Sequence, residues 1–465
     1  MKIFDTIAAV STPRGKGGVA MIRISGEQAI ELASKVFFPK NGKHLCDISH
    51  GKAVYGTIRE YDSEGGSAVL DDGIATVFFA PHSFTGENTV EICCHGGVLI
   101  TERVLSACLA SGCRQAEAGE FTRRAFISGR MSLSQAEDLG ALLDAKTEGQ
   151  LLLSRNGLEG HLTNAIGNCY EEIRGILSSV YAKIDFPDED LASIDEETML
   201  LKVKETRKKL ISLEKTYKTG RAVREGIKTV ICGRANGGKS SLYNRILGRD
   251  AAIVTDIPGT TRDILEQTAA MGKVTLLLCD TAGLRETDDK VESIGIERSR
   301  AAIESAELIL AVFDASSPFN EEDEALIREL SGKQSVIAIL NKCDIAGADL
   351  AKAKEITHEL KNRVCISAKT GEGYEELVKM VEEIFELGEI DFRSDAVVTN
   401  ARQHSAIIRA ISHLKNAEEA LDMGLTVDLC GTDMECAMSS LAEIDGREVT
   451  EDIVSNIFSH FCVGK

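Results

Sequence analysis

The stretch GRANGGKS, Gly233–Ser240, matches the pattern G-x-x-x-x-G-K-S of phosphate-binding loops. The apolar run IKTVIC precedes it, and the helix-like SLYNRIL follows it. In a loop of this kind, the backbone N–H groups and the dipole of the following helix face the phosphates. Lys239 then reaches the terminal phosphates, and Ser240 can ligate magnesium. The stretch therefore predicts a nucleotide site between a strand and a helix.

Three further motifs each come directly after an apolar run: DTAG (Asp280–Gly283), NKCD (Asn341–Asp344) and SAK (Ser367–Lys369). Asp280 can hold the magnesium shell, and the Gly283 N–H can meet a terminal phosphate. The Asp344 carboxylate can accept from both N1–H and the exocyclic amino group of guanine, whereas adenine has no N1–H. A site built around such hydrogen bonds rejects the wrong base by large factors. Four motifs in this order predict a GTPase.

The residue that orients the attacking water is not evident from these motifs. Small GTPases commonly place a glutamine directly after D-x-x-G, but this chain has Leu284, which neither donates nor accepts a hydrogen bond. Hydrolysis is therefore either very slow or assisted from elsewhere. One candidate is Asn236, whose side-chain carbonyl can ligate a cation. Another is the acidic run RETDDKVESIGIE, residues 285–297, for which a solvated switch loop is the alternative interpretation.

Composition limits the classes of protein. A length of 465 residues suggests about three domains at roughly 150 residues each. The net charge of −20 opposes binding of nucleic acid through a broad basic face, so RNA would need a local patch or a partner protein.

Thirteen cysteines without regular spacing predict reduced thiols and a cytoplasmic protein. No apolar run approaches the roughly 18 residues of a membrane span, and the terminal CVGK fits a prenylation box poorly.

The pattern of apolar residues predicts four segments and a fold of mixed α/β and α class. Residues 1–119 contain short strand-like runs between turns, as in an α+β domain, and residues 120–225 follow a helical period. In residues 226–388, strands and helices alternate, which predicts a mostly parallel sheet covered by helices. Residues 389–465 are helical again. A nucleotide domain with a mostly parallel sheet is therefore predicted to be inserted into a helical domain.

Two local patterns favour structural roles. Cys93, Cys94 and His95 invite a metal site, but adjacent strand residues point to opposite faces and the usual zinc spacings are absent, which favours packing. The basic run KETRKKLISLEK, residues 204–215, favours a solvated helix face over contact with RNA.

Longer segments around these motifs closely resemble the MnmE, or TrmE, family of tRNA modification GTPases. They include GRANGGKSSLYN, AAIVTDIPGTTRD, DTAGLRETDDKVESIGIERS, DTIAAVSTPRGKGGVAMIRISG, SFTGENTVEICCHGG, AGEFTRRAFISGRMSLSQAE and the terminal FCVGK. The resemblance implies an N-terminal folate-binding and dimerisation domain, a helical domain and an inserted GTPase domain in a homodimer. It also implies a potassium-activated enzyme that acts with the flavoprotein MnmG, which carries FAD.

That pair installs a 5-(carboxymethyl)aminomethyl-type group on the wobble uridine of certain tRNAs. The one-carbon unit comes from 5-formyltetrahydrofolate or a related tetrahydrofolate. Because the partner supplies much of the surface for tRNA in such a complex, the acidic charge of this chain is no obstacle.

The resemblance also assigns residues, each by its match to a family motif. The implied GTP contacts are Asn236, Gly237, Gly238, Lys239, Ser240, Ser241, Thr255, Asp256, Ile257, Pro258, Gly259, Thr260, Thr261, Asp280, Thr281, Ala282, Gly283, Asn341, Lys342, Cys343, Asp344, Ser367, Ala368 and Lys369. The implied potassium ligands are Asn236, Thr255, Ile257 and Thr260, and the implied magnesium ligands are Ser240 and Thr261. The implied catalytic residue is Glu292, and the implied C-terminal cysteine is Cys462. The implied folate contacts are Arg23, Glu91, Arg130 and Lys465.

Two positions depart from the family pattern, because Ala235 stands where proline is frequent and Gly237 where alanine or valine is frequent. Both departures loosen the phosphate loop and bear on nucleotide affinity. A different class of function remains open from the residues alone. It is a regulatory GTPase that controls a ribosome-assembly or signalling partner without folate chemistry.

Overall fold

The computed structural model describes residues 5–61, 66–185, 195–249, 266–279, 302–333, 335–388, 390–423 and 427–464. The chain divides into two compact units, Met1–Gly140 with Ala442–Lys465, and Ala141–Leu441. The C-terminal end thus belongs to the same unit as the N-terminal part. The four predicted segments, with boundaries after residues 119, 225 and 388, stay predictions because compactness alone does not define domains.

The first unit contains a seven-stranded sheet in the order β3-β4-β5-β6-β2-β1-β7, antiparallel except for the β1–β7 pair. Its strands are β1 (Ile7–Val10), β2 (Val19–Ser25), β3 (Phe37–Pro39), β4 (Ala53–Tyr61), β5 (Ser67–Phe78), β6 (Thr89–His95) and β7 (Arg114–Gln115). Two helices, α1 (Ala29–Ser34) and α2 (Val98–Ala110), join the same core. In β2, Ala20, Ile22 and Ile24 are buried in this core, as the period of two requires.

The second unit contains a six-stranded sheet in the order β13-β12-β11-β8-β10-β9. Its strands are β8 (Ile227–Cys232), β9 (Glu266–Met271), β10 (Val274–Cys279), β11 (Leu308–Asp314), β12 (Val336–Asn341) and β13 (Asn362–Cys365). Every pairing is parallel except β10–β9. All residues of β11 and β12 are buried, as expected of central parallel strands covered on both faces. The predicted α/β alternation is confirmed, but the edge strand β9 was not predicted.

The remaining helices run from the end of the first sheet to the C-terminal tail. They are α3 (Glu120–Ile127), α4 (Leu133–Asp144), α5 (Glu148–Leu158), α6 (His161–Asp185), α7 (Glu196–Lys215), α8 (Tyr217–Arg224), α9 (Lys239–Arg249), α10 (Glu321–Leu330), α11 (Leu350–Ile356), α12 (Tyr374–Ile384), α13 (Ala401–Asp422), α14 (Val427–Asp445) and α15 (Glu451–Ser459). Within the described ranges, no helix is long and apolar enough to cross a membrane.

The long helices α7 and α13 pack against each other within the second unit. Helix α13 buries residues three or four positions apart, namely Ala406, Ile407, Ala410, Leu414 and Ala417, which is the stripe of an amphipathic helix. At the edge of this contact, Arg207 Nε donates to Glu418 Oε2 at 2.7 Å. The basic run of α7 is thus partly engaged in ion pairs, and its role as a solvated helix face stays a prediction.

Substitution of two helical glycines by alanine is predicted to change the free energy of unfolding in opposite directions. Gly220 in α8 is buried, and a Cβ there would collide with the Val398 carbonyl oxygen, whereas Gly175 in α6 has nothing within 4 Å. We expect Gly220→Ala to destabilise the protein by about 1–3 kcal/mol, as overpacking does. Gly175→Ala should stabilise it by roughly 0.5–1 kcal/mol through helix propensity. Urea unfolding of both variants measures this, and equal shifts would contradict the packing of α8.

Candidate functional site

The phosphate loop lies between β8 and α9, as its sequence predicts. Two of its glycines have a left-handed backbone, with φ of 135° at Gly233 and 102° at Gly238. A Cβ at Gly233 would collide with the Val312 carbonyl oxygen, and one at Gly238 with the Asn341 side chain. Both positions therefore require glycine for space as well as for backbone conformation.

Asn341, the first residue of NKCD, joins three of the four motifs. Its Nδ2 donates to the Gly237 carbonyl oxygen at 2.9 Å, and its Oδ1 accepts from the Ala368 N–H, also at 2.9 Å. The side chain is only 2% exposed, so both hydrogen bonds lie away from water and are costly to lose. The structure thus brings the phosphate loop, NKCD and SAK together, and it adds a structural role to a residue predicted only as a nucleotide contact.

The SAK loop is also held from helix α9, by a residue that the sequence did not single out. Arg245 Nε donates to the Ala368 carbonyl oxygen at 2.9 Å, and the same guanidinium donates to the Lys369 carbonyl oxygen. Ser367 Oγ accepts from the Thr370 N–H at 3.1 Å and closes the turn. The only sequence signal was an arginine six residues after Lys239, which is too common to identify.

A buried carboxylate holds Lys342 of NKCD. Lys342 Nζ donates to Asp314 Oδ2 at 2.6 Å, and Asp314 Oδ1 accepts from the N–H and Oγ of Ser316 at 3.0 and 2.6 Å. Partial burial alone would raise the pKa of Asp314, but the hydrogen bonds from Lys342 and Ser316 outweigh it and lower the pKa from its ordinary value. Lys342 itself has a φ of 67°, an uncommon conformation for a residue with a side chain.

Arg234 attaches the phosphate loop to the segment that follows β11. Its guanidinium lies 3.2 Å from Asp323 Oδ2, donates to the Pro318 carbonyl oxygen at 3.1 Å and also reaches Ser317 Oγ. Asp323 belongs to a capping box with Asn320 at the start of α10. Burial raises the pKa of the Asp323 carboxyl above its usual value.

Within the phosphate loop, Lys239 Nζ donates to the carbonyl oxygens of Gly233 and Arg234 at 2.5 and 2.8 Å. Asn236 has a φ of 59° and is exposed at the apex of the loop. Ser240 is exposed at the first turn of α9, and Asp344 is exposed beyond β12. These side chains are therefore accessible to a nucleotide.

Many of the predicted positions lie outside the described residues. They are Thr255, Asp256, Ile257, Pro258, Gly259, Thr260, Thr261, Asp280, Thr281, Ala282, Gly283, Glu292 and Lys465. The position of Leu284 lies outside them as well. Strand β10 ends at Cys279, directly before the DTAG motif, as its sequence predicts.

In the first unit, Arg23 and Glu91 form an ion pair across neighbouring strands. They are register partners in β2 and β6, and Glu91 Oε1 accepts from Arg23 Nε at 2.9 Å and lies 2.8 Å from Arg23 Nη2. The guanidinium lies 5.5 Å from the ring centre of Phe84 and 5.7 Å from that of Phe121. Both charged side chains stay partly exposed, at 17% and 19%, and of the two rings Phe84 is exposed whereas Phe121 is buried.

Arg130 lies beside the loop that carries Phe84. A Cβ at Gly86 in this loop would come within 3.2 Å of Arg130 Cγ, and Gly86 has a φ of 79°. Ser128 Oγ donates to the Thr85 carbonyl oxygen at 2.6 Å and so fixes the turn after α3 to the same loop. Arg130 is exposed. The structure thus brings Arg130 and the Arg23–Glu91 pair to one loop.

The C-terminal tail docks on the first sheet's unit, close to the start of α3. Val463 forms a β-bridge with Ala118, and the Cys462 carbonyl oxygen accepts from the Gly119 N–H at 3.4 Å. Ser11 Oγ donates to the Gly464 carbonyl oxygen at 3.0 Å. Cys462 is exposed, so main-chain contacts fix the tail while the thiol faces solvent.

The Cys93–His95 segment follows the pleat of β6. Cys94 is buried in the core at 3% exposure, and burial raises its pKa to about 11. Cys93 and His95 lie on the other face, where His95 Nδ1 is 2.7 Å from Asp71 Oδ1. Cys94 thus points away from Cys93 and His95, so the three side chains do not converge on one point, which agrees with the packing interpretation.

The parallel sheet, the glycine-constrained phosphate loop and the NKCD and SAK loops joined to it define a P-loop GTPase. The match to family models then places the chain within that class. The model for the N-terminus of the GTP-binding protein TrmE matches residues 6–130, and the model for the MnmE helical domain matches residues 133–462. The chain belongs to the MnmE family of tRNA modification GTPases.

Full-length relatives agree with this assignment. The tRNA modification GTPase MnmE of Clostridioides difficile (strain 630) is 40% identical over 466 residues, covering 100% of both chains. That of Ligilactobacillus salivarius (strain UCC118) is 40% identical over 464 residues, covering 99% of this chain and 98% of its own. Among solved structures, Era in complex with MgGDPNP and ribosomal RNA is 27% identical over 40% of this chain and 66% of its own, with a TM-score of 0.29.

The constraint at Gly238 predicts a specific loss of nucleotide binding. Gly238→Ala would force a methyl group against the Asn341 side chain at a backbone φ of 102°, so the loop must shift. We expect GDP affinity, measured with a fluorescent GDP analogue, to fall at least about tenfold, which corresponds to about 1.4 kcal/mol. Gly248→Ala, in α9 with nothing within 4 Å, is the matched control and should bind normally. Normal binding by both variants would refute the constraint.

Proposed function

We propose that this protein is a potassium-activated GTPase that, together with the flavoprotein MnmG, modifies the wobble uridine of certain tRNAs. The product is a 5-(carboxymethyl)aminomethyl-type uridine, built with a one-carbon unit from a tetrahydrofolate. The observation that carries the proposal is the double hydrogen bond of Asn341, which joins the GTP-binding loops in a chain related over its full length to tRNA modification GTPases.

The described part of the GTP site fits the ligands that the proposal requires. The amide of Asn236 and the hydroxyl of Ser240 are exposed oxygen donors beside the phosphate loop, and oxygen donors suit the hard cations K⁺ and Mg²⁺. We propose that Thr261 completes the protein ligands of Mg²⁺ with Ser240. We propose that Thr255, Ile257 and Thr260 complete the K⁺ site with Asn236. When bound, the two cations supply positive charge where the phosphates develop negative charge.

The protein's own contribution to hydrolysis is the orientation of water. Since Leu284 stands where small GTPases commonly carry glutamine, another side chain must hold the attacking water. We propose Glu292, whose carboxylate can accept a hydrogen bond from that water. Asp344 selects guanine by accepting from the two N–H groups of its edge.

The Arg23–Glu91 pair supports folate binding. A folate presents a flat pterin with an N–H edge and a tail of carboxylates. The Glu91 carboxylate can accept from that edge, and Arg23, Arg130 and Lys465 can pair with carboxylates. The exposed ring of Phe84 beside Arg23 offers apolar surface for a flat ligand. We propose that the tail docked through Val463 and Gly464 presents Cys462 to the same one-carbon chemistry.

The proposal includes a homodimer in the cytoplasm and a hetero-oligomer with MnmG, which brings its FAD. The formal net charge of −20 opposes binding of tRNA phosphates through a broad basic face of this chain. The partner therefore supplies much of the tRNA surface. The experiment that tests the function is nucleoside analysis of bulk tRNA. Deletion of the gene should remove the modified uridine, and complementation should restore it. Unchanged nucleosides after deletion would favour a regulatory GTPase without folate chemistry.

Potassium and Glu292 give a kinetic prediction. GTP turnover should be strong in potassium and weak in sodium, because a fixed positive charge at the phosphates stabilises the transition state. Glu292→Ala should lower kcat by roughly 10²–10⁴-fold, as for a lost general base or orienting group, while GTP affinity stays near normal. Turnover and binding assays in both salts measure this. Equal losses of affinity and turnover would make Glu292 structural, and indifference to potassium would remove Asn236 from the mechanism.

The docked tail gives a prediction that separates the two activities. Deletion of residues 462–465 should abolish tRNA modification and leave potassium-stimulated GTP hydrolysis largely intact, because Val463 and Gly464 contact residues of the first unit. Arg23→Ala should weaken binding of a formyltetrahydrofolate analogue without changing GTP affinity. Calorimetric folate titration, GTP turnover and nucleoside analysis measure these effects. A truncated protein that restores the modified uridine would refute the role of the tail.

A further inference from the structure

The end of β11 and the residues directly after it contact two nucleotide-binding motifs at once. At its start, Asp314 accepts from Lys342 of NKCD at 2.6 Å. Three and four residues later, Ser317 and Pro318 accept from Arg234 of the phosphate loop. We call residues 314–318 the β11 strap. Sequence motifs for GTP binding do not include this segment.

The carboxylate that holds Lys342 is itself fixed by other contacts of Asp314. It is the last residue of β11 and the register partner of Asn341, and it is 8% exposed. The N–H and hydroxyl of Ser316 occupy its Oδ1, which leaves Oδ2 directed at the lysine. A carboxylate fixed by two donors orients a flexible ammonium better than a mobile one does, because less conformational freedom is lost in forming the pair.

Lys342 needs such a partner because its backbone is in the left-handed region, at φ 67°. Residues with a side chain adopt this conformation mainly where their surroundings impose it. Residues before and after it have roles in the site. Asn341 joins the loops, and Asp344, two residues further on, is the proposed guanine contact. The orientation of Lys342 therefore affects the geometry of the whole NKCD turn.

We propose that Asp314 is a positioning residue for guanine-nucleotide binding, which acts by holding Lys342 while the rest of the β11 strap holds the phosphate loop through Arg234. It does not touch the nucleotide in this role. Its effect is to fix two motifs that belong to different parts of the sequence against one strand end. The inference concerns the GTP site alone and is independent of folate, potassium and the MnmG partnership.

The other end of β11 offers a matched control. Glu307 directly precedes the strand, accepts from the Lys228 N–H at 3.2 Å and pairs with Arg221. Like Asp314 it is a carboxylate in an ion pair, although its side chain is more exposed, at 29%, and it lies at the opposite end of the strand from the nucleotide loops. Loss of its charge therefore reports the cost of removing an ion pair from β11 without disturbing NKCD.

The experiment compares Asp314→Asn with Glu307→Gln in the full-length protein, by titration with fluorescent GDP and GTP analogues and by thermal unfolding. We expect Asp314→Asn to weaken both nucleotides about tenfold and Glu307→Gln to leave affinity unchanged, at similar losses of melting temperature. A double-mutant cycle supplies the readout that a merely structural role would not move. In a Lys342→Met background, Asp314→Asn should change affinity by less than about twofold, because its partner is gone.

Equal losses of affinity with and without Lys342, or an unchanged affinity in Asp314→Asn, would overturn the proposal. If Asp314→Asn does not fold, Ser316→Ala keeps the carboxylate and removes one of the donors that fix it. That variant should weaken nucleotide binding about threefold in the presence of Lys342 and not in its absence, and the reverse result would also overturn the proposal. A wild-type protein that binds neither nucleotide would instead refute the GTP site itself.

Discussion

The hydrogen bonds of Asn341 are the constraint on which the nucleotide site depends. A side-chain amide has one donor group and one acceptor, and Asn341 uses both. Its donor bonds to Gly237, more than a hundred residues earlier in the sequence, and its acceptor bonds to Ala368, about thirty residues later. The amide also fills the space that a Cβ at Gly238 would occupy. Gly238 of the phosphate loop and Asn341 of NKCD are thus in direct contact. A substitution at either residue therefore disturbs the other motif.

The strand ends explain why the other loops meet at the same place. In a parallel sheet, ligands bind beyond the carboxyl ends of the strands, and β8, β11, β12 and β13 each end where a nucleotide-binding or supporting residue follows. The positions of these strand ends are fixed in β11 and β12, because the side chains of both strands are buried on both faces of the sheet. Among the described residues, the side chains beyond them are then held by short-range hydrogen bonds such as those of Asn341, Lys342 and Arg234.

Sequence reasoning recovered the parts of this arrangement that are carried by local patterns. Apolar runs of four to six residues before each motif predicted β8, β10, β12 and β13, and the motif order predicted the GTP site. Edge strand β9 was missed because EQTAAM has little β-branched or aromatic content. Arg245 and Asp314 were missed because their roles depend on contacts across 123 and 28 residues of sequence, and a single sequence carries no signal for such a pair. The resemblance placed Cys462 and Lys465 near the folate contacts, but the docking of the tail on Ala118 and Ser11 depends on contacts just as distant in sequence and was not predicted.

Three cations of the described sites are already paired with carboxylates. Arg23 pairs with Glu91, Lys342 with Asp314 and Arg234 with Asp323. In a chain with a net charge of −20, unpaired cations would attract any anion, whereas each of these pairs is neutral as a whole and presents a donor and an acceptor in fixed positions. An anion alone gains little from such a pair, because it must compete with the resident carboxylate. A ligand with both donor and acceptor groups on one edge can bind without breaking the pair. Paired charges of this kind favour selectivity over raw affinity, which suits sites that must choose among abundant phosphates and carboxylates.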